Sequence, residues 1–97
     1  MPYIKKEKRE KFQEILPEVI SLFLLDVENG KDILKRNANP GELNYFLSSL
    51  IWRLWKSDTS YANGNNLMGV LECVKQEFYR RQLAPYEDLK EKENGTI

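Results

Sequence analysis

The sequence contains no histidine. That removes the side chain most used as a general base near neutral pH, and the commonest ligand of transition metals. Cysteine is reduced to one residue, Cys73, so no internal disulfide can form and a reducing compartment is expected. With one cysteine and no histidine, the four-ligand zinc spacings cannot be written. The carboxylate pairs Asp26/Glu28 and Glu87/Asp88 do not sit in calcium-loop patterns, so neither a metal nor a cofactor is expected. The five glycines are scattered, and no phosphate-loop or dinucleotide pattern results. Cys73, Ser48 and Ser49 lack a partner base to activate them as nucleophiles. No apolar run reaches the roughly 20 residues needed to span a membrane. The basic opening MPYIKKEKREKF is not followed by an apolar signal core. The expectation is a cytoplasmic protein that is not an enzyme and does not enter a membrane.

An excess of charge is also missing. Fifteen basic residues balance fifteen acidic ones, whereas a dedicated nucleic-acid binder draws affinity from a basic surplus. Nucleic acid is therefore a disfavoured partner.

What is present suits one small folded domain over residues 1–97. Hydrophobic residues make up 41% and charged residues 31%, and eleven aromatics carry the large burial areas that disordered chains lack. The fold class expected is all-α, a small bundle of three main helices plus short helical segments. Residues 1–11 form a charged lead-in, read as a solvated helical turn or an arm. Phe12, Ile15, Leu16, Val19, Ile20, Phe23 and Leu24 then follow helical spacing. Pro17 interrupts that pattern, and the expected helix starts near Glu14 with Pro17 in its first turn. Asn29-Gly30 marks a turn, and Lys31 to Arg36 reads as a short helical segment.

The second helix has the clearest start. Asn39 is the N-cap, Pro40 the first helical residue, and Glu42 completes an approximate capping box. It is expected to run to about Lys56. Leu43, Phe46, Leu47, Leu50, Ile51 and Leu54 form one stripe, while Tyr45 and Trp52 lie on another face. Arg53 is the only charge between Leu43 and Trp55, so more than one side of this helix needs cover. Asn63-Gly64 reads as a turn, with Asn65 or Asn66 capping a third helix from about Leu67 to Leu83. Pro85 ends or bends that helix, and residues 87–97 read as a fraying tail.

Two groups of side chains stand out as binding candidates. Tyr45, Ser48, Ser49 and Trp52 could form a partner interface, with the two aromatics as anchors. Packing inside the monomer accounts for them equally well. Lys75, Tyr79, Arg80 and Arg81 could hold an anion or small ligand, since guanidinium offers a rigid fork of donors. The alternative is internal pairing of the arginines with Glu77, Glu87 or Asp88. Gly69 and Cys73 make a narrow face suited to close helix approach.

Three stretches together resemble a family of small bacterial and phage proteins of unknown function. They are the opening Met-Pro-Tyr-Ile-Lys-Lys with Arg9, the run Asn39-Pro-Gly-Glu-Leu-Asn-Tyr45, and Gly69 to Arg81 with its EFYRR ending. The last continues through Pro85-Tyr-Glu-Asp88 and Glu93-Asn-Gly95. The likeness covers about three quarters of the chain, and Asp26 to Arg36 departs from it. It implies a shared fold and a phage or prophage setting, and transfers no site residues. The third helix also resembles, over a few residues, oligomeric helical phage proteins that sequester nucleotide signals of host defence. Two functions follow as expectations: a helical module that self-associates or binds a protein, or a nucleotide-binding protein.

Overall fold

The computed structural model describes residues 4–95. The first three residues of the charged lead-in, and Thr96 and Ile97 of the tail, lie outside the described residues. Contacts divide the chain into two compact units, Met1–Trp52 and Arg53–Ile97.

The first unit opens with helix α1, Lys6–Leu24. It begins eight residues before the expected start, and Pro17 lies inside it. An internal proline removes one backbone donor, at a cost of about 3 kcal/mol. The carbonyl it frees belongs to Gln13, an exposed residue, so water can satisfy it and the helix continues.

Leu25–Glu28 (β1) and Lys31–Leu34 (β2) pair antiparallel, with Leu25 opposite Leu34 and Glu28 opposite Lys31. The helical segment expected at Lys31 to Arg36 is therefore a strand, and the protein is mostly helical with one small sheet instead of all-α. The cause is the turn. Asn29 and Gly30 both adopt positive φ, 54° and 74°, the conformation that matches the twist of a two-residue hairpin. Once that turn forms, the alternation Leu25-Asp26-Val27-Glu28 places Leu25 and Val27 on one face with Leu34. The Lys35 N–H donates to the Leu24 carbonyl and ties the hairpin to the end of α1. Lys35 Nζ lies 3.4 Å from Asp26 and 3.6 Å from Glu42, the latter in the next helix.

Helix α2, Pro40–Ser57, starts where the cap predicts. Asn39 Oδ1 accepts from the Gly41 and Glu42 amides at 2.8 and 3.2 Å. The Phe46 ring meets Phe23 of α1 edge-on, with centroids 5.5 Å apart.

The second unit contains the last turn of α2 and helix α3, Tyr61–Phe78. Asn63-Gly64 is helical and not a turn, because Ser60 supplies the cap. Its Oγ accepts from the Asn63 amide at 3.1 Å. The Asn63 side chain donates to the carbonyls of Leu54 and Asp58, at 3.2 and 2.7 Å, and so closes the α2–α3 connection. Gly64 lies against Trp55, where an added Cβ would come within 3.1 Å of the ring.

Pro85 does not end the helix. A π turn, Tyr79–Leu83, joins α3 to α4, Ala84–Asn94. The Ala84 N–H donates to the Tyr79 carbonyl, five residues back. The wider turn makes room just before the residue that lacks a donor, and Pro85 then occupies the first turn of α4, where proline is tolerated. Residues 87–94 of the tail are consequently helical.

No described residue in either unit is buried. The apolar stripes that predicted three core-facing helices exist, but each is left half-covered. The leucines of α2, Leu43, Leu47, Leu50 and Leu54, are 39 to 47% exposed.

Candidate interface and ligand groove

The partner-interface candidates sit in the first unit. Tyr45 and Trp52 are 76% and 66% exposed, while Ser48 and Ser49 are half-buried. Seven residues make two helical turns, so the two aromatics share a face about 10 Å apart along α2. On the opposite face the four leucines step by four, three and four residues, the spacing of a helix–helix seam. The helix thus presents two open apolar faces, and its flanks carry the partly covered Phe46, Ile51 and Trp55. Tyr45 also lines a groove of about 490 Å³ with Leu22, Phe23, Gly41, Glu42 and Phe46.

The ligand candidates sit in the second unit and do not converge. Lys75 and Tyr79, one turn apart, line a groove of about 430 Å³ with Gln76, Phe78 and Leu83. Arg80 and Arg81 are not part of its lining. Both grip Glu77 instead: Arg80 Nη2 lies 3.0 Å from Oε1, and Arg81 Nε lies 2.7 Å from Oε2. This Arg80 contact holds the Glu77 carboxyl below its ordinary value, against a partial desolvation that acts the other way. Asp26 is lowered too, first by the Val27 amide it accepts from and then by Lys35. The Glu77 carboxylate thus engages one donor nitrogen of each guanidinium, while both arginine side chains stay more than half exposed.

Among the described residues no group of three or more potential ligands could hold a metal ion, and no helix is long and apolar enough to cross a membrane. Cys73 is a free thiol, and nothing stands within 4 Å of a Cβ built on Gly69. Gly69 is exposed and Cys73, one turn on, is half-buried.

What sequence reasoning missed is the helix beyond Pro85, α4, which carries Tyr86 and Leu89, 56% and 52% exposed. The signal for it was Pro85 itself, which is tolerated in the first turn of a helix.

One family model matches the chain, over residues 1–97, and its description is a domain of unknown function, DUF6899. No curated protein and no solved structure matches.

Proposed function

The chain belongs to the DUF6899 family, and from that premise we propose that it is a non-enzymatic helical module that assembles with further copies of itself. One observation carries the reading. None of the described residues of either unit is buried, and on α2 the leucines stay 39 to 47% exposed while Tyr45 and Trp52 are 76% and 66% exposed. Covering such aromatics and leucines lowers the free energy by about 25 cal/mol per Å² of apolar area. Tyr45 and Trp52, flanked by Ser48 and Ser49, are one face for that cover. On the motif resemblance to phage proteins, the module serves as a phage or prophage accessory protein.

Light scattering after gel filtration tests this. A mass at or above twice 11.5 kDa across a micromolar series is the expected result. A monomer at every concentration refutes it.

The groove beside Lys75 and Tyr79 supports a second reading, capture of a nucleotide. Arg80 and Arg81 would then exchange Glu77 for phosphate. A thermal shift with cyclic nucleotides, lost in Arg80→Ala or Arg81→Ala, would support it. No shift across a broad nucleotide panel removes it.

A further inference from the structure

Asparagine followed by glycine occurs at Asn29-Gly30, Asn63-Gly64 and Asn94-Gly95. The pair has a chemistry of its own. The glycine amide nitrogen, unshielded by a Cβ, can attack Cγ, the asparagine side-chain carbonyl carbon. A nitrogen–carbon bond forms, the Cγ–Nδ2 bond breaks, and ammonia leaves with the amide proton. The succinimide ring then takes up water. Opening at Cγ gives aspartate, and opening at the main-chain carbonyl gives isoaspartate. One water is consumed and one ammonia released, with no other reactant.

Attack needs a free glycine N–H and an asparagine ψ able to turn until the nitrogen reaches Cγ. The structure separates the three pairs on both counts. The Gly64 N–H donates to the Ser60 carbonyl at 2.9 Å. The Asn63 amide donates to Ser60 Oγ at 3.1 Å, and Nδ2, the leaving group, donates to the Leu54 and Asp58 carbonyls at 3.2 and 2.7 Å. Asn63 and Gly64 are half-buried in α3. The Gly95 N–H donates to the Glu91 carbonyl at 2.7 Å, closing the end of α4. At Asn29-Gly30 nothing holds the pair. Among the described residues, neither the Gly30 N–H nor the Asn29 side chain makes a hydrogen bond. Both residues are exposed, and no atom stands within 4 Å of a Cβ built on Gly30. Asn29 sits at φ 54°, a region uncommon for a residue other than glycine, and must leave it to react. Only a two-stranded hairpin with every strand residue exposed retains it there, and such a hairpin opens readily.

We infer that Asn29 is the first modification site of this chain, losing its side-chain amide to Gly30 through a succinimide while Asn63 is spared. The product changes the first unit. A new carboxylate joins Asp26, Glu28 and Asp32 of the hairpin. In the isoaspartyl form the main chain runs through Cβ, so the two-residue turn gains one carbon. It can no longer hold Glu28 opposite Lys31. The bond from the Lys35 N–H to Leu24, which ties the hairpin to α1, loosens with it.

The test incubates the full folded chain in mildly alkaline buffer, which favours the deprotonated amide. Trypsin leaves the three pairs in separate peptides, 12–31, 57–75 and 93–97, and mass spectrometry follows the replacement of amide by acid in each. Asn29 should convert at least about tenfold faster than Asn63, where four hydrogen bonds must break first. In urea the gap should shrink to a few-fold, because only the local sequence then acts. Earlier conversion of Asn63 or Asn94 in the folded chain overturns the assignment, and so does a gap that persists in urea. The isoaspartyl product, separated by ion exchange, should exchange its Lys35 amide at least about tenfold faster than the unmodified chain. Asn29→Asp carries the same charge on an unaltered main chain, and Asp-Gly suits this turn, so it should keep Lys35 protected. Unchanged protection in the isoaspartyl product overturns the loosening of the hairpin. Equal loss in Asn29→Asp overturns its main-chain cause.

Discussion

Two glycines five residues apart on α3 isolate helix propensity from packing. Gly69 is in the helix interior, and a Cβ built there meets nothing within 4 Å. Gly69→Ala therefore gains the propensity difference alone, about 0.8–1.0 kcal/mol. For a chain of this size that raises Tm by roughly 4–8 °C. At Gly64 the same methyl would stand 3.1 Å from Trp55 Cζ3, and 3.7 and 3.8 Å from two further ring carbons. The indole must retreat by a few tenths of an ångström, and Trp55 is half-buried and packed at the α2–α3 connection. Overpacking of this kind costs about 1–3 kcal/mol, which outweighs the propensity gain. Gly64→Ala is expected to lower stability by about 1 kcal/mol, so the two variants should differ by about 2 kcal/mol. Urea unfolding followed by far-UV circular dichroism, with equal m-values, measures both. A destabilised Gly69→Ala would refute the reasoning, because it would mean that another surface covers Gly69. Equal gains at the two sites would refute the Trp55 contact.

Four further outcomes follow from the same contacts. Ser60→Ala removes the hydroxyl that accepts from the Asn63 amide and should cost about 1 kcal/mol in the same unfolding assay. Asn63→Ala removes two bonds to the Leu54 and Asp58 carbonyls and should cost about 1–2 kcal/mol, with exchange rising first at the α2–α3 connection. The Asp26 and Glu77 carboxyls are held below their ordinary 3.8 and 4.5, so the stability they contribute is present above those values. It is lost as pH falls through the lower folded values, and added salt should shrink the effect. The urea midpoint should therefore fall on acidification into that range, and Glu77→Gln should remove part of the fall. Tryptophan fluorescence reports cover directly. Trp52→Phe leaves only the half-buried Trp55, so the red-edge emission lost in that variant belongs to the exposed Trp52. A wild-type spectrum that shifts to the blue with concentration places Trp52 in the assembled interface.

Local chemistry was legible without the structure wherever a few adjacent residues decide the outcome. Asn39-Pro40 starts α2 because the side-chain oxygen and the missing N–H act within one turn. Asn29-Gly30 makes a turn because these two residues tolerate positive φ. The absence of histidine and of paired cysteine bounds the chemistry in the same way. The strands at Leu25–Glu28 and Lys31–Leu34 were not legible, since four-residue runs take their state from pairing with each other. Pro17 was read in the first turn of its helix, and Pro85 as ending or bending the third helix. Whether a helix ends at a proline depends on whether the freed carbonyl finds water or a wider turn, and that depends on exposure and winding at a distance. The Glu77–Arg81 pair follows from i,i+4 spacing and was legible in the sequence, whereas that Arg80 also turns to Glu77 was a choice among the carboxylates within reach.

The sequence by itself determined the helical periodicities, the cap of α2, the turn at Asn29-Gly30 and the chemistry the chain lacks, because each follows from neighbours within one turn. The tertiary structure alone decided that the apolar stripes of α1, α2 and α3 stay half-open and that the helix continues through Pro85 to Asn94. Periodicity says which face of a helix is apolar; what covers that face depends on elements distant in sequence, which no local pattern records.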